Sequence, residues 1–531
     1  VKTRADGTVL WTLRDISESD RCPYAALKNY ACLVEGTTPV AAISRPIAQL
    51  MGRALRDHRL RVEQFWRHNN PTIANWRDTD GAQALPDLLD GETSVLAPTI
   101  EWVDPDHGLL IEGGADALIS HLDGAYEMEQ ARLGKSTMRR QLIELAGLHS
   151  GFTQLGVALS PTAVMNFAHT GRQRFELQDS WDAWRTACDG LAQAVRAYHQ
   201  GELSLEWSTT PLDQCGRQSC AWCQIELSPH DDLFLIARLR RTHRRILRAR
   251  GITTMTAFAE ASSDEIDDVL AGADPVEVQS SHRQATLQVL TKRSGGGRPA
   301  TSVVNSTRLA TLNTLQPGDI YLDFEGDPAY HEWPDGSAWN PRAEGAQSWL
   351  GIDYLIGVME GDSGEYHSWW SSDFASEATA FRDFLDWIAN RLSNYPTMSI
   401  YHYADYEATA LRRLAERHAD PRNVIAQIES GGTLVDLYRL VMASVAVGTS
   451  GYALKDLEAL YFEPDTRSGI SGGGESVLAF SRYLKATQSG NHSEAKRISH
   501  TILDYNRLDT LSTRALHHWL LERRAIEETP H

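Results

Sequence analysis

Ile320-Tyr-Leu-Asp-Phe-Glu-Gly-Asp327 is an apolar run that carries two carboxylates at alternate positions, Asp323 and Glu325. In a β-strand, residues i and i+2 point to the same face. Two carboxylates on one strand face repel each other, and the arrangement costs stability unless cations sit between them. Divalent metals bound through oxygen ligands offset that cost. The plainer alternative is an exposed strand end with two solvated acids.

Two later stretches shift the balance towards metal. Ser399-Ile-Tyr-His-Tyr-Ala-Asp-Tyr-Glu407 reads as a short strand running into a helix that continues from Ala408. Ile502-Leu-Asp-Tyr-Asn-Arg-Leu-Asp-Thr510 opens an amphipathic helix, in which Tyr505 and Asp509 are spaced i, i+4 and share one face. A strand Asp-x-Glu, an acid at a strand-to-helix junction and a helical Tyr-x-x-x-Asp thus follow one another. Together they resemble the DEDD 3′–5′ exonuclease superfamily in its tyrosine-bearing (DEDDy) form, and within it the YprB-type domain. The resemblance covers residues 315–525 and implies a ribonuclease H-like α/β exonuclease domain, bounded here at 315–531.

Carried over position by position, Asp323 and Glu325 fill the first motif. The second, usually Asn-x-x-x-Phe-Asp, is here His402-Tyr-Ala-Asp-Tyr-Glu407, which puts Glu407 at the acid and leaves Asp405 as a rival ligand. Asp509 fills the last acid position, and Tyr505 that of the residue orienting the attacking water. The resemblance implies that Asp323, Glu325, Glu407 and Asp509 hold two Mg²⁺ or Mn²⁺ ions for phosphodiester hydrolysis. It also implies a substrate of single-stranded DNA or DNA ends, in repair, recombination or defence. Glu407 is one methylene longer than the usual Asp, which bears on metal geometry.

The 531 residues suffice for two or three domains with real cores. A formal net charge of −19 argues against a surface that wraps duplex DNA by charge alone. It is compatible with a nuclease that contacts nucleic acid through a local basic patch. No apolar run of about 18 residues occurs, so no membrane span is expected. No signal peptide is read, and the expected location is cytoplasmic.

Towards the N-terminus, Asp15-Ile-Ser-Glu-Ser-Asp-Arg-Cys-Pro-Tyr-Ala-Ala-Leu27 reads as a capped helix start carrying Cys22. Glu112-Gly-Gly-Ala-Asp-Ala-Leu-Ile119 reads as a strand with Asp116 inside it, Tyr126–Leu133 as a second strand, and Gln141–Leu148 as a helix. This order resembles the RecB-like branch of the PD-(D/E)xK nucleases and implies a restriction-endonuclease-like domain over residues 1–225. In an ungapped alignment Gln130 stands at the second acid, Arg132 at the lysine and Leu145 at the helical tyrosine. Gln is a neutral, poor Mg²⁺ ligand, and Arg stays protonated. Shifting by one residue recruits Glu129 but puts Ala131 at the lysine. The expectation is a nuclease fold with a degenerate metal site around Asp116.

Of six cysteines, three cluster as Cys215-Gly-Arg-Gln-Ser-Cys-Ala-Trp-Cys223. In a cytoplasmic chain such a cluster suggests metal ligation rather than disulfides. The RecB-like nucleases with iron–sulfur clusters place one Cys before the core and three after it. That resemblance implies a [4Fe–4S] cluster on Cys22, Cys215, Cys220 and Cys223, with structural zinc as the rival. Cys32 and Cys188 read as packing residues.

Residues 226–295 form the middle segment. Within it a helix rich in arginine, including Arg240, Arg241, Arg244, Arg245 and Arg248, runs to Gly251. With the following Ile-x-Thr and Phe258 it resembles a helix–hairpin–helix, which implies phosphate contacts. A solvated charged face is the alternative. Lys292-Arg-Ser-Gly-Gly-Gly-Arg-Pro-Ala300 begins a linker over 296–314. Gly469-Ile-Ser-Gly-Gly-Gly-Glu475 reads as flexible connection. Two functions follow: a nuclease, or a non-catalytic DNA-binding scaffold. For either, the resemblance implies a helicase domain or partner.

Overall fold

The computed structural model of the chain describes residues 1–41, 47–77, 85–86, 88–89, 91–134, 138–295, 297–332, 350–463 and 469–528. Gly296 of the expected linker lies outside them. The chain divides into two compact units, one holding most residues up to Glu226 and the other most residues from Leu227 on.

The first unit contains a six-stranded sheet in the order Gly171–Glu176, Leu159–Phe167, Tyr126–Arg132, Ala117–Ser120, Val95–Leu96, Ala74–Asn75. A smaller sheet runs Lys2–Thr3, Val9–Thr12, Leu110–Gly114, Thr99–Val103. The stretch expected as one strand through Asp116 is therefore two strands in two sheets, with Asp116 at the bend between them. The reason is local. Gly113 lets Leu13 and Leu148 approach, and Gly114 lies against the Pro98 carbonyl and Thr99, where a Cβ would collide. The helix expected across Cys22 is likewise two, Leu13–Arg21 and Pro23–Glu35. Thr12 and Asp15 form a capping box on the first, and Pro23, lacking an N–H, starts the second. Cys22 sits at the break.

In the second unit the sheet order is Tyr366–Trp370, Leu350–Glu360, Ile320–His331, Ile400–His402, Leu434–Asp436. Ile320–His331 is central and pairs in parallel with Ile400–His402, which pairs in parallel with Leu434–Asp436. Phe381, Phe384 and Ile388 of the Phe374–Asn394 helix pack with Ile320, Leu322 and Ile400 of these strands. Tyr321 and Tyr401 pack with Leu516, Trp519 and Leu520 of the long His492–Glu528 helix.

The arginine-rich helix is shorter than expected. It spans Arg241–Ala249, ends before Gly251 at φ +87°, and is followed by the Met255–Glu260 helix. The expected linker is partly folded into the C-terminal core. Thr301–Val303 pairs antiparallel with Val445–Val447, and Leu309 and Leu312 are buried. The Pro275–Arg293 helix is joined to the same strand, since Gln284 Nε2 donates to the Val447 carbonyl at 2.8 Å. Of the expected flexible connection, Gly473–Glu475 opens the helix Gly473–Gln488.

Candidate active site and thiolate centre

The strand period puts Asp323 and Glu325 on one face, and the long helix presents Tyr505 and Asp509 to it. Ligand atoms of Asp323, Glu325 and Asp509 all lie within 4.8 Å of one another. Together with Glu407 and Tyr505 they line one cavity of about 480 Å³. Burial, then the Asp509 charge, pushes Glu325 up to about 8, so without a cation it keeps its proton near neutral pH.

Glu407 stands at the start of the Tyr406–His418 helix, outside the three-acid group. It is buried, and burial raises its pKa. Its Oε2 faces His402 Nδ1 at 3.4 Å, without the alignment of a hydrogen bond, and both atoms are buried and unpartnered. The rival ligand Asp405 is exposed and paired with Arg439 at 2.6 Å. An orphaned carboxylate oxygen in the same cavity as three crowded acids is the donor set that divalent cations take.

Tyr505 is buried beside these acids, and burial with Asp509, Glu325 and Asp323 holds its hydroxyl protonated. Lys455 Nζ donates to the Tyr505 oxygen at 2.8 Å and to the Ser471 carbonyl at 2.7 Å. Asp323 Oδ2 accepts from Asn506 Nδ2 at 2.7 Å, and Asn506 Oδ1 accepts from the Tyr366 hydroxyl at 2.7 Å. Gly357 makes room for this amide, because a Cβ there would strike Asn506 Oδ1. Gly326 does the same for the Tyr406 hydroxyl, which donates to Asp353 at 3.0 Å. Lys455 and Asn506 were missed by motif reading. Asn506 stands inside the Tyr505-x-x-x-Asp509 motif, directly after Tyr505, and that adjacency was the available signal.

In the first unit, Asp116 Oδ2 accepts from the Ala131 N–H at 2.8 Å. Arg59 Nε lies 3.4 Å from its other oxygen, and Arg132 Nη1 lies 4.0 Å from Oδ2. Arg132 also donates to Gln130. Guanidinium groups thus occupy the space between the residues aligned to a metal site. Glu129 points elsewhere, accepting from Trp66 at 2.7 Å, Asn166 at 2.8 Å and Arg172 at 2.5 Å.

Cys22, Cys215, Cys220 and Cys223 are all buried, with their sulfurs mutually within 4.8 Å. The Sγ separations are 3.7 Å for Cys22–Cys223, 3.7 Å for Cys215–Cys223 and 4.0 Å for Cys22–Cys220. A single tetrahedral ion with bonds of about 2.3 Å spaces its thiolates at about 3.8 Å. A four-iron cubane places a body of irons and sulfides between its ligands and spreads them further. The four sulfurs could therefore hold a metal, and their separations are close to those around a single tetrahedral ion.

Among the expected phosphate contacts, Arg244 is buried and donates to Asp232 at 2.8 and 2.6 Å. Arg248 lies 3.8 Å from the same carboxylate, and Arg240 is paired with Glu277. Arg241 and Arg245 sit on the same short helix. Arg244 is spent on holding the segment together and cannot reach a phosphate.

Residues 343–521 match the family model of the RNase H superfamily. The C-terminal region is an RNase H-like domain. The match includes Glu407, Tyr505 and Asp509 and begins after the Asp323 strand. No curated protein and no solved structure matches the chain. An RNase H-like domain with clustered acids points to nuclease-type chemistry. Among the described residues no helix is long and apolar enough to cross a membrane.

Proposed function

We propose that the chain is a metal-dependent nuclease whose RNase H-like domain removes nucleotides 3′–5′ from single strands or ends of DNA, in repair, recombination or defence. The observation that carries this reading is the convergence of Asp323, Glu325 and Asp509, with Glu407 and Tyr505, on one cavity. The four acids would hold two Mg²⁺ or Mn²⁺ ions. Such ions, when bound, lower the pKa of the attacking water and neutralise charge on the scissile phosphate and leaving oxygen.

The chain's own residues do the positioning. Asn506 fixes the carboxylate plane of Asp323 through its amide hydrogen bond. Lys455 donates to the Tyr505 oxygen, and the Tyr505 hydroxyl is hydrogen-bonded to Asp509, which holds it against the acids where the attacking water would sit. Because Tyr505 stays protonated, it acts as a donor and not as a base.

The first unit, in this proposal, is a RecB-like domain without its own turnover, braced by one zinc ion on the four thiolates. Joining Cys22 to Cys223 closes a loop of 201 residues and constrains the unfolded chain accordingly. A second reading, a DNA-binding scaffold serving a helicase, draws on the guanidinium groups that sit against Asp116. Incubation of the chain with single-stranded DNA labelled at either end decides between them. Mn²⁺-dependent shortening from the 3′ end supports the exonuclease; binding without shortening supports the scaffold.

A further inference from the structure

A cavity of about 320 Å³ lies where the Ala237–His243 stretch and the Pro275–Arg293 helix meet the Met442–Tyr452 region of the RNase H-like domain. Its charged lining is one-sided: Arg238, Arg240 and Arg283 against Glu277. Glu277 is taken by Arg240. Arg238 and Arg283 are exposed and make no hydrogen bond or ion pair among the described residues. Arg238 is held at φ +68°, a backbone conformation that side-chain-bearing residues rarely adopt. The middle of a chain with net charge −19 thus keeps two guanidinium groups unspent at one opening.

A second observation points to a ligand. His243 lines the same cavity, is only 5 % exposed, and its Nδ1 is buried without a hydrogen-bond partner. A buried polar atom left unpaired costs free energy that an incoming group can recover. Ser280 and Ser281 add two hydroxyls to the lining. Two arginine forks, an imidazole nitrogen and hydroxyls around one opening match the tetrahedral oxygens of a phosphate group.

The cavity is also well placed along the chain. Tyr452, on its wall, donates to Gln284 Oε1 at 2.7 Å. Three residues on is Lys455, which holds Tyr505. Three residues span at most about 10 Å.

We propose that this cavity binds a backbone phosphate of the nucleic-acid strand whose end enters the acidic site, with Arg238 and Arg283 as the charge-bearing contacts and His243 as the buried one. The inference rests on the reading of the chain as acting on nucleic acid. It assigns the contact to residues outside the arginine-rich helix, whose Arg244 is spent internally.

The test is the double variant Arg238→Gly, Arg283→Gln. Glycine suits the positive φ at 238, so the fold is preserved, and an unchanged melting curve checks this. Binding of a labelled single-stranded oligonucleotide is measured in Ca²⁺, with no turnover required. Affinity is expected to fall at least roughly tenfold. The slope of log affinity against log salt is expected to shrink by about 1.4, as for two lost single-strand phosphate contacts. The second arm titrates wild type and variant with inorganic phosphate. Unchanged strand affinity and salt slope overturn the proposal, and if phosphate binding alone is lost, the ligand is free phosphate and not a strand. Wild-type protein that binds the strand through this site but never shortens it in Mn²⁺ refutes the exonuclease and leaves the phosphate site standing.

Discussion

At Asp116 a carboxylate meets guanidinium groups, Arg59 at 3.4 Å and Arg132 at 4.0 Å. At Asp323 a carboxylate meets other carboxylates, with Glu325 and Asp509 inside 4.8 Å. Asp116 sits at a bend between two strands and Asp323 within one, and the two surroundings make opposite demands. A guanidinium is a permanent counter-ion, so the first acid is satisfied without metal. In the second group burial, and then the charge of Asp509, leave Glu325 holding a proton up to about 8. In the first unit it is sulfur that could hold a metal: four buried cysteines whose sulfurs lie within 4.8 Å of one another. The difference teaches that what surrounds an acid, rather than the acid itself, marks a metal site.

The comparison can be broken at several points. Cys220→Ser should have the largest effect on the first unit, releasing the bound metal and destabilising it by at least roughly 3 kcal/mol. Metal analysis of the wild type should find one zinc per chain and no visible absorbance; iron with sulfide and a brown colour would contradict the spacing argument. Tyr505→Phe removes the water-orienting hydroxyl and should cost about 10²-fold in cleavage, roughly 2.7 kcal/mol, with strand binding retained. Equal turnover by both proteins would remove Tyr505 from the chemistry.

The raised Glu325 gives a pH signature. Its folded value of about 8 lies above its ordinary 4.5. Its contribution to metal-free stability is therefore fullest below 4.5 and is lost as pH rises through about 8. Mn²⁺ displaces that proton, so the rise in melting temperature on adding Mn²⁺ should be larger above pH 8 than near about pH 6. A metal effect independent of pH would sink this electrostatic account. The smallest effect is expected from Asp116→Asn. Asparagine keeps an oxygen for the Ala131 N–H, so stability should change by less than about 1 kcal/mol and cleavage not at all. Loss of cleavage there would restore the first unit as a catalyst.

Much of the second unit is legible in sequence because its signals are short-range. Period two places Asp323 with Glu325, and i, i+4 places Tyr505 with Asp509. What supports them is long-range and left little trace. Lys455 reaches Tyr505 across 50 residues, and Asn506 reaches Asp323 across 183. Gly357 matters only because another helix passes over it. The arginine-rich segment looked like a free basic face because its helical periodicity hides Asp232, which lies before the helix and takes Arg244. Gly113-Gly114 resembled part of one strand, whereas close packing against Leu13 and Thr99 turns the chain into a second sheet at Asp116. The residues after the Gly-rich linker start looked unstructured because their partner strand, Val445–Val447, lies far along the chain.

The most direct measurement compares wild type with Asp323→Asn on 3′-labelled single-stranded DNA in Mn²⁺. The account predicts release of the label with the first nucleotide that the wild type removes, a drop on the order of 10³-fold in that rate in the variant, and strand binding that survives the substitution. Cleavage that persists in Asp323→Asn would contradict the assignment of the acidic cavity as the active site.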